Sequence, residues 1–231
     1  MRKFIATNII LLALSLLSLC PAFCVENKEE KSDFLPLAVG NTWKYVIHFR
    51  SKSHGDTTLL RTNKISGVAT VNGKESFVVE HIVNSMDNFL DQKEYLYRED
   101  NEIIRSKILL YDIAQRGVVY GTEKIREKGD IIEREDPHVP ETLLSLPLTP
   151  GKKWVSQGTY FTVIGKEKVG VLAGDFECYK IKLEFEGEKG FIYQYYANSV
   201  GLIKEETYED IKDSDLIFPT VIELSEYYIV K

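Results

Sequence analysis

Cysteine is the first scarcity: the 231 residues hold three. Cys20 and Cys24 lie in the leading segment, so Cys178 stands alone in the remainder. A lone cysteine in an exported chain forms no internal disulfide, and covalent staples are excluded as the source of stability. Catalytic signatures are missing as well. There is no G-x-S-x-G, no H-E-x-x-H, no P-loop, no dinucleotide fingerprint and no C-x-x-C after residue 24. The four histidines, at 48, 54, 81 and 138, lack metal-ligand spacing. No Gly/Ser-rich or Pro-rich linker divides the chain, which favours one sizeable core. A surplus of positive charge is absent too. The net charge is −6, and −8 once Arg2 and Lys3 leave with the first 24 residues. Such a chain repels nucleic acid and anionic lipid head groups, so no nucleic-acid partner is expected.

The beginning of the chain reads as an export signal. Arg2 and Lys3 give a basic start, Ile9 to Leu19 is an apolar run, and "PAFC" is a small-residue exit. The run is shorter than the roughly 20 residues that a transmembrane helix needs. The expected division is a signal peptide over 1–24, a charged mature terminus over 25–33, and a single β domain over 34–231. The chain is therefore expected in the periplasm or outside the cell. "LLSLC" offers an alternative, a lipoprotein anchored to the membrane through Cys20.

What the sequence has in plenty is alternation. "WKYVIHF" sets Trp43, Tyr45, Ile47 and Phe49 on one side, and "SFVVEHIV" sets Phe77, Val79, His81 and Val83 together. "YKIKLEF" and "FIYQYY" repeat the pattern, the latter grouping Phe191, Tyr193 and Tyr195. Period two with one apolar face marks antiparallel sheet. Asn72-Gly73 is a hairpin signal, because both residues accept positive φ. Only "PETLLSL" at 140–146 and "YEDIKDSDL" at 208–216 suggest short helical turns. The fold class expected is all-β: a curved open barrel or sandwich of antiparallel sheet with few short helices.

One frame is written twice. "LPLAVGNTW" at 35–43 and "LPLTPGKKW" at 146–154 share L-P-L-x-x-G-x-x-W and contain both tryptophans. Similar strands follow each copy in the same order. "SFVVEHIV" parallels "CYKIKLEF", and "EYLYREDNEIIR" at 94–105 parallels "YQYYANSVGLIK" at 193–204. This predicts a tandem duplication with repeats over 34–144 and 145–231. Proline keeps the leading segment extended, glycine makes the turn, and tryptophan opens the next strand.

The frame, together with "GDFECYKI" and "YYANSVGLIK", resembles a group of uncharacterised bacterial exported and lipoprotein β-proteins. Across most of residues 34–205 that resemblance implies a fold, and at fold level it is similar to open-barrel carriers of lipids and lipoproteins in the envelope.

Candidate chemistry is thin. Cys178 with His81 or His48 would be a nucleophile and base, but its strand context reads as a small packing residue. "EREDPHVPE" at 133–141 gathers carboxylates and His138, as a divalent cation or a solvated linker would require. No catalytic set, metal or cofactor is expected. The leading function is a non-enzymatic envelope protein whose curved sheet binds an apolar ligand or a lipidated partner. Its candidate binding residues are Trp43, Tyr45, Trp154, Phe191, Tyr193 and Tyr195. The alternatives are an interaction protein that packs its interior fully and docks on another envelope protein, and a hydrolase.

Overall fold

The computed structural model describes residues 32–52, 55–84, 89–113, 131–137, 139–208 and 216–230. The signal-peptide and lipobox readings, and most of the turn expected at 208–216, lie outside them. Ser32–Lys231 form one compact unit.

Among the described residues every regular element is a strand. They are β1 (Thr42–Ser51), β2 (Gly55–Val71), β3 (Lys74–Asn84), β4 (Phe89–Glu99), β5 (Glu102–Ile113), β6 (Ile131–Glu135) and β7 (Glu141–Ser145). They continue as β8 (Lys153–Ser156), β9 (Thr159–Val171), β10 (Gly174–Phe185), β11 (Phe191–Ala197), β12 (Gly201–Tyr208) and β13 (Leu216–Tyr228). All 13 join one antiparallel sheet in the order β6-β5-β4-β3-β2-β1-β13-β12-β11-β10-β9-β8, with β7 on β5. Two meanders, β1–β5 and β8–β12, therefore flank β13.

Local chemistry explains the turns. Asn72 and Gly73 take φ of 51° and 79° between β2 and β3, as a two-residue hairpin with right-handed strand twist requires. The helical turn expected at 140–146 is corrected: Glu141–Ser145 is β7, laddered to β5 through Glu102↔Ser145 and Ile103↔Leu144. Leu144 is fully buried there, so sheet pairing overrides the local preference.

The sheet curls until its ends meet. Ile103 and Leu144 of the β5/β7 end share an apolar cluster with Phe161 and Val163 of β9 and Ile181 and Leu183 of β10. Among the described residues no ladder closes the ring. Across the seam, Thr142 N–H donates to Ser156 Oγ at 2.8 Å, and Trp154 Nε1 donates to the Thr142 carbonyl at 3.2 Å. Gln157 Nε2 adds a bond to the Pro140 carbonyl at 2.9 Å. The result is a curved open sheet rather than a barrel. A second cluster joins Trp43, Ile65, Val79 and Leu96 to Ile203 and Leu224.

The two frames make the same turn. Gly40 and Gly151 have φ of 99° and 85°, which a side chain would strain. Gly40 N–H donates to the Ile65 carbonyl at 2.9 Å, and Gly151 N–H to the Val163 carbonyl at 2.8 Å. Ile65 and Val163 return bonds to the Asn41 and Lys152 carbonyls, each at 2.9 Å. The register matches further along. β2/β3 slips by one residue at Ser66 and β9/β10 at Ile164; β4/β5 slips at Ser106 and β11/β12 at Ile203. These bulges pair Glu94 with Gln194 and Leu96 with Tyr196. The sequence comparison of 94–105 with 193–204 was thus one residue out of step on β4 and β11, enough to exchange the two faces of a strand.

Candidate functional site

The concave face of the first meander carries a row of side chains that starts at Trp43. Trp43 stands opposite Asn63 on β2, Asn63 opposite His81 on β3, and His81 opposite Gln92 on β4. The neighbouring row runs from Tyr45 to Arg61. Together they border a cavity of about 250 Å³. One part of its wall is apolar, with Leu37, Ile65, Val79, Leu96, Leu143 and Ile222. The other is polar: Arg61, Asn63, His81, Glu94, Arg105 and, from the second meander, Glu205.

Part of this polar wall is well paired. Arg105 donates to Glu94 Oε1 at 2.6 Å and also to Glu141, and Gln92 Nε2 donates to the same Glu94 oxygen at 2.7 Å. Burial alone would raise the Glu94 carboxyl, but Arg105 and His81 beside it hold it far below the usual range. Burial would likewise lower Arg105, and its two carboxylates reverse that. On the facing wall Tyr196 donates to Gln194 Oε1 at 3.1 Å, and Gln194 Nε2 donates to Glu205 Oε2 at 2.8 Å. Burial raises Glu205, with the Gln194 bond and the Arg61 charge opposing it.

The rest of the wall lacks hydrogen bonds at several buried atoms. His81 Nε2 lies 3.3 Å from Glu94 Oε2, an ion-pair distance without hydrogen-bond alignment. Neither ring nitrogen of His81, nor Arg61 Nε, Arg105 Nε or Asn63 Oδ1, has a hydrogen-bond partner among the described residues, although all are buried. Arg61 stands 6.0 Å from the centre of the Tyr45 ring and acts on Glu205 and Asp91 through space. A buried polar atom left without a partner costs about 1–3 kcal/mol. Their concentration around one cavity is the main anomaly of the interior.

The six aromatic residues singled out in the sequence fall in three places. Trp43 and Tyr45 border the cavity; the Trp43 indole donates to the Val200 carbonyl at 2.6 Å and the Tyr45 hydroxyl to the Leu202 carbonyl at 3.1 Å. Trp154 sits at the seam, stacked on Phe161 with centroids 4.8 Å apart. Phe191, Tyr193 and Tyr195 project to the face of β11 opposite Gln194 and Tyr196. There Phe191 stacks on Tyr208 at 4.8 Å, Lys180 lies 4.1 Å over Tyr193, and Tyr195 bonds Glu206 at 3.0 Å. Only Trp43 and Tyr45 of the six line the cavity, although Tyr195 and Tyr193 join the apolar cluster to which those two belong.

Other candidates are absorbed elsewhere. Cys178 is buried and its thiol is pushed up to about 12, by burial first and then by Glu167 and Glu177, so it is held protonated and unreactive. Of the 133–141 stretch, Glu135 pairs with Lys107 at 3.2 Å and Glu141 with Arg105, while His138 lies outside the described residues. Sequence reasoning missed Arg61, Asn63, Gln92, Glu94, Arg105, Gln194 and Glu205. One signal was available: His81 falls in phase with Phe77 and Val79, a polar residue on an apolar face.

Against this geometry stand the likenesses to other proteins. A family model described as DUF3108-like matches residues 159–215, a stretch containing β9 to β12 and about a quarter of the chain. No curated protein matches. A structure from Bacteroides fragilis, provisionally described as an exported protein with a YmcC-like fold, aligns with 86% of this chain and 100% of its own. Its identity is 13% and its TM-score 0.49. A Parabacteroides distasonis structure, provisionally described as a lipoprotein, aligns with 85% of this chain and 99% of its own, at 15% identity and a TM-score of 0.40.

Proposed function

We propose that this chain is a non-enzymatic exported protein of the bacterial envelope that binds a small amphipathic molecule inside its curled sheet. The basic start and apolar run of residues 1–24 support export. One observation carries the binding: a cavity of about 250 Å³ with an apolar wall beside buried polar atoms that lack partners. A fully packed structural core would place apolar atoms there, as the second meander does. The matching frames and bulges support descent of the two meanders from one duplicated unit, one copy keeping its core and the other hollowed into a site.

The cavity holds roughly eight water-sized groups at ~30 Å³ each, which suits a short chain rather than a long lipid tail. Titration with straight-chain alcohols of increasing length, followed through Trp43 fluorescence in a W154F background, tests this. Affinity is expected to rise by about 0.8 kcal/mol per methylene and to level off near the octyl chain. Absence of any chain-length dependence would instead favour the interaction protein.

A further inference from the structure

The polar wall is unevenly paired. Arg105 is matched by two carboxylates, Glu94 and Glu141. Glu205 is matched by the amide of Gln194. Arg61 is different: its Nε has no hydrogen-bond partner, and it touches Glu205 and Asp91 only through space. Beside it lie Asn63, on the same face of β2, and His81, directly across from Asn63. A guanidinium, an amide and an imidazole converge where the nearest carboxylates are already engaged or unfavourably buried. Arg61 thus keeps a buried donor that no neighbouring carboxylate reaches by a hydrogen bond, and the planar fork of arginine fits a carboxylate.

We propose that the polar wall seats a single carboxylate at Arg61, with Asn63 and His81 beside it, so that the ligand is a short-chain carboxylic acid. The proposal rests on the reading of the interior as a ligand site. A phosphate monoester fits less well, because its second charge would face Glu94 and Glu205 without a second free cation. An amine is opposed by Arg61 itself.

The second meander also supplies a mild variant. Its register places Thr159 where the first meander has Arg61, so R61T installs a residue that this scaffold already accepts there.

The test is calorimetric titration of the protein with octanoate, 1-octanol and octylamine, which share one chain and differ in the head. Octanoate is expected to bind at least tenfold more tightly than 1-octanol, with octylamine weakest. R61T is expected to abolish that preference while leaving 1-octanol within twofold. N63D, which sets a negative charge beside Arg61, is expected to weaken octanoate about tenfold and spare 1-octanol. Octylamine binding as tightly as octanoate, or octanoate preference surviving in either variant, would overturn the proposal. If 1-octanol binds and octanoate gains nothing, the carboxylate falls and the cavity reading stands. If neither binds, the cavity reading itself falls and takes this inference with it.

Discussion

Two rows of side chains leave the two tryptophans and cross equivalent strands in the two meanders. The second row is Trp154, Phe161, Leu183 and Ile192. Phe161 and Leu183 are buried in a packed apolar cluster with Trp154 and Ile192 against them. Each such side chain contributes about 1.5–3 kcal/mol through burial. The first row is Trp43, Asn63, His81 and Gln92. At the next bulge Leu202 in the second meander corresponds to Arg105 in the first. Matching registers along these rows thus carry a core in one half and unsatisfied polar groups around a cavity in the other. The scaffold alone does not demand the polar set. The proposed ligand site would account for what the first half gives up in packing.

The comparison breaks most sharply at Arg105. R105L installs the residue of the second meander, yet it strands Glu94 and Glu141 as buried carboxylates. Urea denaturation is expected to show a loss of about 3–5 kcal/mol. R105L combined with E94Q and E141Q is expected to recover most of it. A single R105L variant as stable as the parent would show that the network carries no net charge balance.

The tryptophans come next. Trp43 is 4% exposed in the centre of the sheet, whereas Trp154 is half-buried at the seam. W43A is expected to cost about 3–5 kcal/mol, with W154A well below it. Equal losses in thermal melts would mean that the seam is as tightly packed as the centre.

A smaller effect, but the most telling in sign, belongs to His81. H81L places the leucine found at the matching position, Leu183, and removes two buried ring nitrogens that lack hydrogen-bond partners, at the cost of the His81–Glu94 ion pair. The expected result is a gain of about 1–3 kcal/mol together with weaker ligand binding. Destabilisation would instead make His81 a structural member of the Glu94 network.

The pH dependence is the subtlest difference between the walls. The folded-state pKa of Glu94 lies below its ordinary 4.5, so its stabilisation is present above that value and is lost as pH falls through the depressed range. The folded-state pKa of Glu205 lies above its ordinary 4.5, so stability is full below that value and drains as pH rises through the raised range. E205Q is therefore expected to exceed the parent in stability at neutral pH, and E94Q to fall short of it. Melting curves from pH 3 to 8 read both, and a flat E205Q difference would remove Glu205 from the buried wall.

Much of the architecture was legible because its causes are local. Period-two alternation requires only neighbouring residues, and it placed the strands. Asn72-Gly73 named its own turn through the positive φ that both residues accept, and Gly40 and Gly151 announced two copies of one bend. The stretch at 140–146 was misread because Leu143 and Leu144 suit either a short helix or a strand. Only the ladder to β5 decides it.

Sequence by itself therefore determined an all-β chain of antiparallel strands and the turns at Gly40, Asn72-Gly73 and Gly151. Tertiary structure alone decided which side chains meet. Asn63, His81, Gln92 and Arg105 come from four strands and share no motif; they are neighbours because hairpin lengths and single-residue bulges set the register. A bulge changes which face a residue serves, so the bulges at Ser66 and Ser106 help decide which side chains of the first meander face the cavity. Periodicity is a property of one strand, and register is a property of two. The cavity depends on a third relation, the curl that brings Gln194 and Glu205 of the second meander over the polar row of the first.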